Sequence, residues 1–172
     1  MFLSKKINRI LKMVFYLYII LIIIFVAVKF NGSLHEISMR MERINESRSK
    51  GVLNLNLTPL RQISTYLKRI DSSFAIRNLM SNILLFFPLG VFLPVLYDKN
   101  FLKTLVYSLI FSLLIEILQF MTMLGYADID DVILNIMGSL AGYITFKLLH
   151  KTYMNNIPKK VFVSSSEESM KK

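Results

Sequence analysis

The chain has 172 residues, of which 54% are apolar and 19% charged, with no cysteine and a formal net charge of +10. Its apolar residues form long unbroken runs, which exclude a disordered chain and an ordinary soluble globule with periodic apolar stripes. The lack of cysteine excludes disulfides, thiolate zinc sites and cysteine nucleophiles. Most Lys and Arg residues flank the apolar runs, as is typical of membrane anchoring, so we expect membrane lipids and no nucleic acid as partners.

The first predicted membrane span covers about residues 10–28, with no charged residue between Lys12 and Lys29. A secretory signal peptide is the alternative, because basic residues precede the apolar run. The run is long for a signal peptide, and no small-residue cleavage site follows it. We therefore predict an uncleaved helix.

The following segment, residues 29–78, is basic and contains a predicted amphipathic helix. Its apolar residues at helical spacing are Leu60, Ile63, Leu67 and Ile70. Basic side chains lie away from them, so the pattern predicts a short helix in the headgroup layer. Thr58 and Pro59 suit the cap and the first position of that helix.

Three further apolar runs cover about residues 79–97, 104–124 and 132–149. Each approaches the ~20 residues that cross a hydrocarbon core of about 30 Å. Four spans then form a single all-α membrane domain over residues 1–150, and residues 151–172 are predicted to be a polar, disordered tail.

The charges of the connecting segments orient these spans. Lys99 and Lys103 lie between the second and third spans, and both ends of the chain are basic. Residues 125–131, the acidic connector between the third and fourth spans, have three Asp and no basic residue. We therefore predict a multi-pass protein of the cell membrane with both termini cytoplasmic and the acidic connector outside. The basic segment 29–78 disagrees, because this topology also places it outside.

Polar residues within or beside the spans form the candidate ligand-binding pocket. They are Asn82, Glu116, Gln119, Asp128, Asp131 and Asn135. A rise of ~1.5 Å per residue places the two asparagines about 5 Å, Gln119 roughly 8 Å and Glu116 roughly 12 Å below the outer ends of their helices. A charge at the centre of a membrane costs ~2.5–3.5 kcal/mol, so such residues are candidates for a functional site.

Each of these residues also has a structural interpretation. Asp130 or Asp131 suits the N-cap of the fourth span, and the asparagines suit hydrogen bonds between helices. Glu116 has no basic residue at its depth in any span, so it is either a functional carboxylate or a protonated structural one.

Small residues and prolines predict how the helices pack. Gly138 and Gly142 form a small-xxx-small pair that lets another helix approach closely. Pro88 and Gly90 predict a kink or a local break in the second span, which frees backbone carbonyls.

Several motifs carry a resemblance to a known family. They are LNLTPL at residues 55–60, NILLFFPLG at 82–90, EILQ at 116–119, DIDDVILN at 128–135, and Gly138 with Gly142. In this order they resemble the VanZ-like membrane proteins over about residues 52–146. Many members have an Arg shortly before the acidic stretch, where this chain has Gly125-Tyr126-Ala127.

The resemblance implies a non-enzymatic envelope protein that lowers susceptibility to teicoplanin-type lipoglycopeptides through an outer-leaflet polar pocket. A lipoglycopeptide or a lipid-linked wall precursor is then the expected ligand, with no cofactor and no metal. One alternative is a lipid or precursor translocase that uses Glu116, for which four spans are few unless the chain forms a homo-oligomer. Another is a membrane enzyme that uses Glu116 and the Asp residues, although no nucleophile–base pair accompanies them.

Overall fold

The computed structural model describes residues 4–24 and 34–156. This part of the chain is helical apart from two short strands and the connecting turns, which confirms the all-helical class. The helices are α1 (Lys5–Ile22), α2 (Leu34–Ser49), α3 (Arg61–Lys68), α4 (Ser73–Tyr97), α5 (Phe101–Thr122) and α6 (Ile129–Asn156). The strands are β1 (Leu55–Asn56) and β2 (Ala127–Asp128), which pair in parallel.

Three helices, α4, α5 and α6, are long and apolar enough to cross a membrane by length and composition. They contain the second and fourth predicted spans and most of the third, since α5 ends at Thr122. The first predicted span begins inside α1, but its residues 25–28 lie outside the described residues. A fourth crossing therefore stays a prediction.

Helix α6 is longer than the sequence pattern indicated. It continues to Asn156, so the first residues of the predicted tail are helical. The reason is that no glycine or proline interrupts the chain between Gly142 and Pro158, and the helical hydrogen-bond ladder continues. Residues 157–172 of the predicted tail lie outside the described residues.

Helices α4 and α6 pack with their backbones in close contact. A Cβ atom at Gly142 would lie 2.0 Å from the carbonyl oxygen of Phe87, and one at Gly138 would lie 2.2 Å from that of Ile83. Gly90 approaches α6 in the same way, since a Cβ there would lie 1.9 Å from the carbonyl oxygen of Ser139. Such separations are far below van der Waals contact, so this interface requires glycine at its crossing points.

Helix α1 covers the other side of α4. The apolar core between them and α5 consists of Phe15, Ile22, Phe86, Leu89, Leu93 and Ile115. The hydroxyl of Tyr18 donates a hydrogen bond of 2.5 Å to the carbonyl oxygen of Leu85. Of the two predicted effects of Pro88 and Gly90, the local break is absent, because α4 runs without interruption from Ser73 to Tyr97, and the kink stays a prediction.

The segment between α1 and α4 is more ordered than the sequence pattern indicated, since it contains helix α2, which was not predicted. Ile37, Ile44 and Arg48 lie on one partly or fully buried face of α2, and Ile44 is completely buried. This helical spacing is a signal that the sequence does contain. The high proportion of charged side chains on the other faces obscures it.

Helix α3 covers the predicted amphipathic segment but begins later than expected. Thr58 does not cap it, because Pro59 and Leu60 form a turn and the helix starts at Arg61. Leu60 occupies the N-cap position with a φ of 63° and offers no side-chain cap. The cap comes from a distant residue, Asp130. The apolar side chain of Leu67 is 55% exposed, and the location of α3 in the headgroup layer stays a prediction.

Candidate functional site

Helix α5 presents a row of buried polar side chains to α6. The row contains Thr104, Ser108, Ser112, Glu116 and Gln119. Its members recur every three or four residues, so they share one helical face. In a membrane-spanning helix, such a row avoids the cost of contact with lipid by facing another helix.

Two hydrogen bonds join this row to α6. The amide of Asn135 donates to Ser112 Oγ over 2.8 Å, and the hydroxyls of Ser108 and Ser139 lie 2.5 Å apart. All four residues are buried. Asn135 Oδ1 is also buried and has no hydrogen-bond partner among the described residues. The predicted role of Asn135 in hydrogen bonding between helices agrees with this geometry, although its partner Ser112 was not anticipated.

Glu116 lies at the point where the polar row meets the acidic connector. Its carboxylate is 6% exposed, and Oε2 accepts a hydrogen bond of 2.8 Å from the backbone N–H of Asp128. Gln119, one turn further along α5, is completely buried and lies against Gly125. The acidic connector therefore folds back over the end of α5, and a buried carboxylate holds its backbone.

Asp128 is the central hydrogen-bond acceptor of the connector, and it is only 2% exposed. Its Oδ1 accepts from the backbone N–H of Asp130 over 2.8 Å. Since α6 begins at Ile129, this bond makes Asp128 the cap of the helix. The predicted cap, Asp130 or Asp131, is wrong, because both residues lie inside the first turn. The other carboxylate oxygen of Asp128, Oδ2, accepts hydrogen bonds from the side-chain amides of Asn56, over 2.9 Å, and Gln62.

Burial raises the pKa of Asp128 above the ordinary value of 3.8. Hydrogen bonds from Asn56 and Asp130 oppose this shift, whereas the neighbouring carboxylates of Asp131 and Asp130 add to it. Burial also raises the pKa of Tyr66, and the three nearby aspartates raise it further. Within α3, the hydroxyl of Tyr66 donates to Gln62 Oε1 over 2.8 Å. Because Gln62 in turn donates to Asp128, it joins α3 to the acidic connector.

The other two aspartates of the connector have separate partners. Asp131 Oδ1 accepts from Asn82 Nδ2 over 2.7 Å, which joins the first turn of α6 to α4. Asp130 is 1% exposed, and its carboxylate accepts from the backbone N–H groups at the start of α3. The acidic run therefore distributes its three carboxylates among α3, α4 and α6.

The structure places five of the six predicted pocket residues in three separate hydrogen-bonded groups, and Gln119 lies beside them against Gly125. Glu116 contacts the backbone of Asp128, Asn82 pairs with Asp131, and Asn135 pairs with Ser112 deeper in the bundle.

Sequence reasoning missed the residues from α2 and β1 that complete this end. Arg48 donates to Asn54 Oδ1 over 2.8 Å and to the carbonyl oxygen of Phe120, and its guanidinium lies 4.7 Å from the ring of Phe120. Arg40 donates to the carbonyl oxygen of Leu124 over 3.0 Å. Both cations lie at the C-terminal end of α5, where they complement the helix dipole. The acidic connector contains no Arg, and Arg40 and Arg48 of α2 instead bring positive charge to the segment that precedes it.

A cleft opens beside the connector, between β1, α5 and the start of α6. We call it the connector cleft, and its volume is about 240 Å³. Its apolar lining consists of Leu55, Leu57, Leu113, Ile117, Phe120, Ala127, Ile129 and Val132. The remaining lining residues are Glu116 and Asp128. The shape and the lining suit an alkyl chain that ends near a hydrogen-bonded polar group.

Among the described residues, no group of three or more His, Cys, Asp or Glu side chains is placed to hold a metal ion. The aspartates of the connector instead accept hydrogen bonds from amides and from backbone N–H groups.

A comparison with family models identifies the chain, because the VanZ/LLP1 model matches residues 14–150. The chain belongs to the VanZ/LLP1 family. This result confirms the resemblance found in the sequence motifs. The acidic connector, the polar row of α5 and the glycine contacts of α4 and α6 all lie inside the matched range.

Protein VanZ from Enterococcus faecium is similar to this VanZ/LLP1 chain, with 34% identity over 103 residues. The match covers 59% of this chain and 57% of that protein, so the chain spans a little over half the length of this relative. No solved structure gives a significant match.

Proposed function

We propose that this VanZ/LLP1 protein acts in the cell envelope by holding the apolar chain of an amphiphile in the connector cleft. The amphiphile is a teicoplanin-type lipoglycopeptide or a lipid-linked wall precursor, and its retention lowers susceptibility to the antibiotic. The observation that carries the proposal is the cleft itself, which has an almost wholly apolar surface and includes two buried acidic residues, Glu116 and Asp128, in its lining.

The energetics favour a ligand that arrives from water. An alkyl chain gains about 0.8 kcal/mol per methylene group when it leaves water. It gains almost nothing when it leaves lipid, because lipid tails are as apolar as leucine side chains. A resident lipid is therefore not selected by the apolar lining alone. Discrimination among amphiphiles depends on the polar groups around the cleft.

The predicted topology places the connector cleft on the outer side of the membrane, where glycopeptides meet their target. The carboxylates and amides of the connector are held by hydrogen bonds to α3, α4 and α5. A preorganised polar rim of this kind loses little conformational entropy on binding. We therefore place the polar head of the amphiphile against the connector and its tail in the cleft.

A second candidate function is translocation, and the buried polar row of α5 favours it. The row extends from Gln119 to Thr104, which is roughly 22 Å along the helix at ~1.5 Å per residue. It lies against Asn135 and Ser139 of α6 for part of that length. Buried carboxylates and hydroxyls in series are a feature of proton and substrate pathways. A homo-oligomer would supply the additional helices that a pathway needs.

A cleft-filling substitution tests the first proposal. Leu113 lines the connector cleft, whereas its neighbour Leu114 does not and is 53% exposed. In a deletion strain complemented with each variant, Leu113→Trp should lose protection from teicoplanin, and the matched Leu114→Trp should retain it. Vancomycin, which has no lipid tail, serves as the second drug, and its inhibitory concentration should not change.

The outcome also separates the two candidate functions. Membrane insertion and thermal stability in detergent are measured for every variant, so that loss of folding is not read as loss of function. Loss of protection in both tryptophan variants, or in neither, would refute retention in the cleft. If Leu113→Trp is active while a stable Glu116→Gln is inactive, the translocation proposal is favoured instead.

A further inference from the structure

A second cavity lies at the opposite end of the helical bundle from the acidic connector. We call it the basic cavity, and its volume is about 690 Å³. It lies between the first turns of α1, the C-terminal end of α4, the start of α5 and the last turns of α6. Neither the family comparison nor the proposed function uses it.

Cationic and hydrogen-bonding side chains dominate the lining of the basic cavity. Lys99 and Lys147 supply ammonium groups, His150 supplies an imidazole, and Asn8 supplies an amide. Asp98 is the single acidic residue of the lining. Within the described residues, no carboxylate forms a salt bridge with Lys99 or Lys147. Their positive charge is therefore not neutralised by a carboxylate of the described residues.

Aromatic side chains hold these cations at the rim of the basic cavity. The ammonium of Lys99 lies 5.0 Å from the centre of the Tyr107 ring, and that of Lys147 lies 5.7 Å from the Tyr143 ring. Such cation–π contacts restrict the positions of long flexible side chains. Lys99, in the turn between α4 and α5, and Lys147, in α6, thus line one cavity from two separate elements.

The backbone adds a further favourable term for an anion. Asn100, which also lines the cavity, is the N-cap of α5 and accepts a hydrogen bond of 2.9 Å from the backbone N–H of Lys103. The positive end of the α5 dipole therefore points toward the basic cavity, where it favours negative charge.

We propose that the basic cavity binds a phosphate ester, and that its source is the headgroup of an anionic phospholipid. A phosphate offers several acceptor oxygens, which match ammonium and imidazole donors from three directions. Leu148 and Leu149 lie between the lining residues Lys147 and His150 along α6, and they are 62% and 66% exposed. Acyl chains attached to the phosphate would lie along these residues, whereas a free phosphate would not use them.

A pair of matched double variants tests the proposal. Lys99→Gln with Lys147→Gln removes the two cations of the cavity. Lys103→Gln with Lys151→Gln removes the same charge from exposed positions four residues further along the chain in each case, and neither of these positions lines the cavity. Binding of short-chain phosphatidylglycerol to the full-length protein in a neutral detergent is measured by native mass spectrometry.

We expect the cavity variant to bind phosphatidylglycerol roughly tenfold more weakly than the wild type, which corresponds to about 1.4 kcal/mol. The control variant should stay close to the wild type, and phosphatidylcholine should bind weakly to all three proteins. An equal loss in both variants would overturn the proposal, because it would show nonspecific attraction to a basic surface. Equal binding of phosphatidylcholine and phosphatidylglycerol would overturn it as well.

Inorganic phosphate and glycerol phosphate distinguish the two sources of the anion. If the ligand is a lipid headgroup, glycerol phosphate should compete weakly, since it lacks acyl chains. Competition by inorganic phosphate at the affinity of the lipid would assign the basic cavity to free phosphate and would overturn the lipid source.

Discussion

Asp130→Ala is expected to unfold the first turn of helix α3 without disrupting the bundle. Asp130 Oδ1 accepts from the backbone N–H of Leu60 over 2.5 Å. Its Oδ2 accepts from those of Gln62 and Ile63 over 2.7 and 3.1 Å. Hydrogen bonds to a charged group contribute about 1.5–3 kcal/mol each, so three set an upper bound of roughly 4.5–9 kcal/mol. Loss of an N-cap, at about 0.5–2 kcal/mol, sets the lower bound.

The expected cost lies between these bounds, at about 2–4 kcal/mol, because water can hydrate the partly exposed amides of α3 once the carboxylate is gone. Hydrogen exchange on the protein in detergent measures this cost locally. The protection of the amides at the start of α3 should fall by roughly 30- to 700-fold, since about 1.4 kcal/mol is tenfold in an equilibrium constant. Amides in the middle of α4 and α6 should keep their protection.

Two companion variants control the interpretation. Asp130→Asn keeps one acceptor oxygen of the side chain and should give an intermediate loss of protection. Asp71→Ala removes an exposed carboxylate from the turn between α3 and α4 and should change little. Unchanged exchange at α3 in Asp130→Ala would refute the capping role. An equal loss in Asp130→Ala and Asp71→Ala would show a general effect of charge.

Three further predictions concern packing, pH and topology. Gly142→Ala should destabilise the protein by about 3 kcal/mol or more in thermal unfolding, which is at the upper end of overpacking costs. The reason is that the added Cβ would lie 2.0 Å from the carbonyl oxygen of Phe87. Wild-type stability of this variant would refute the close packing of α4 and α6. Because burial raises the pKa of Asp128, its contribution to stability is complete below the ordinary carboxyl pKa of 3.8 and declines as the pH rises through the folded pKa. The free energy of unfolding of the wild type should therefore fall more steeply with rising pH over that range than that of Asp128→Asn. Equal slopes would contradict the assignment. On intact cells, a single cysteine at Tyr126 should react with an impermeant maleimide, and a single cysteine at Lys99 should not. The reverse pattern would invert the predicted topology.

The sequence alone was sufficient to find the apolar helices α4, α5 and α6. Each is signalled by its own composition, since an apolar run of about 20 residues has few stable environments other than a membrane. The sequence also singled out Glu116, Gln119 and Asn135 as polar residues within those runs. Their burial was predictable, because contact with lipid would be costly for each of them.

The hydrogen-bond partners of the aspartates in the acidic connector are decided by the tertiary structure. Asp130 caps a helix that begins about 70 residues earlier in the chain, and Asn56 bonds to Asp128 across a similar separation. Periodicity describes only neighbours along the chain, so it contains no information about such pairs. The acidic run therefore looked like one cluster with a local cap, whereas each of its carboxylates serves a different element.

The order of the segment between α1 and α4 was also decided by tertiary contacts. Helix α2 has a mostly polar surface, and two of its arginines, Arg48 and Arg40, donate to the carbonyl oxygens of Phe120 and Leu124 at the C-terminal end of α5. Strand β1 exists only through its pairing with β2. The connector cleft arises where these pieces meet α5 and α6. Its existence depends on how separate elements pack, and the local sequence of each element fixes only its own conformation and apolar face.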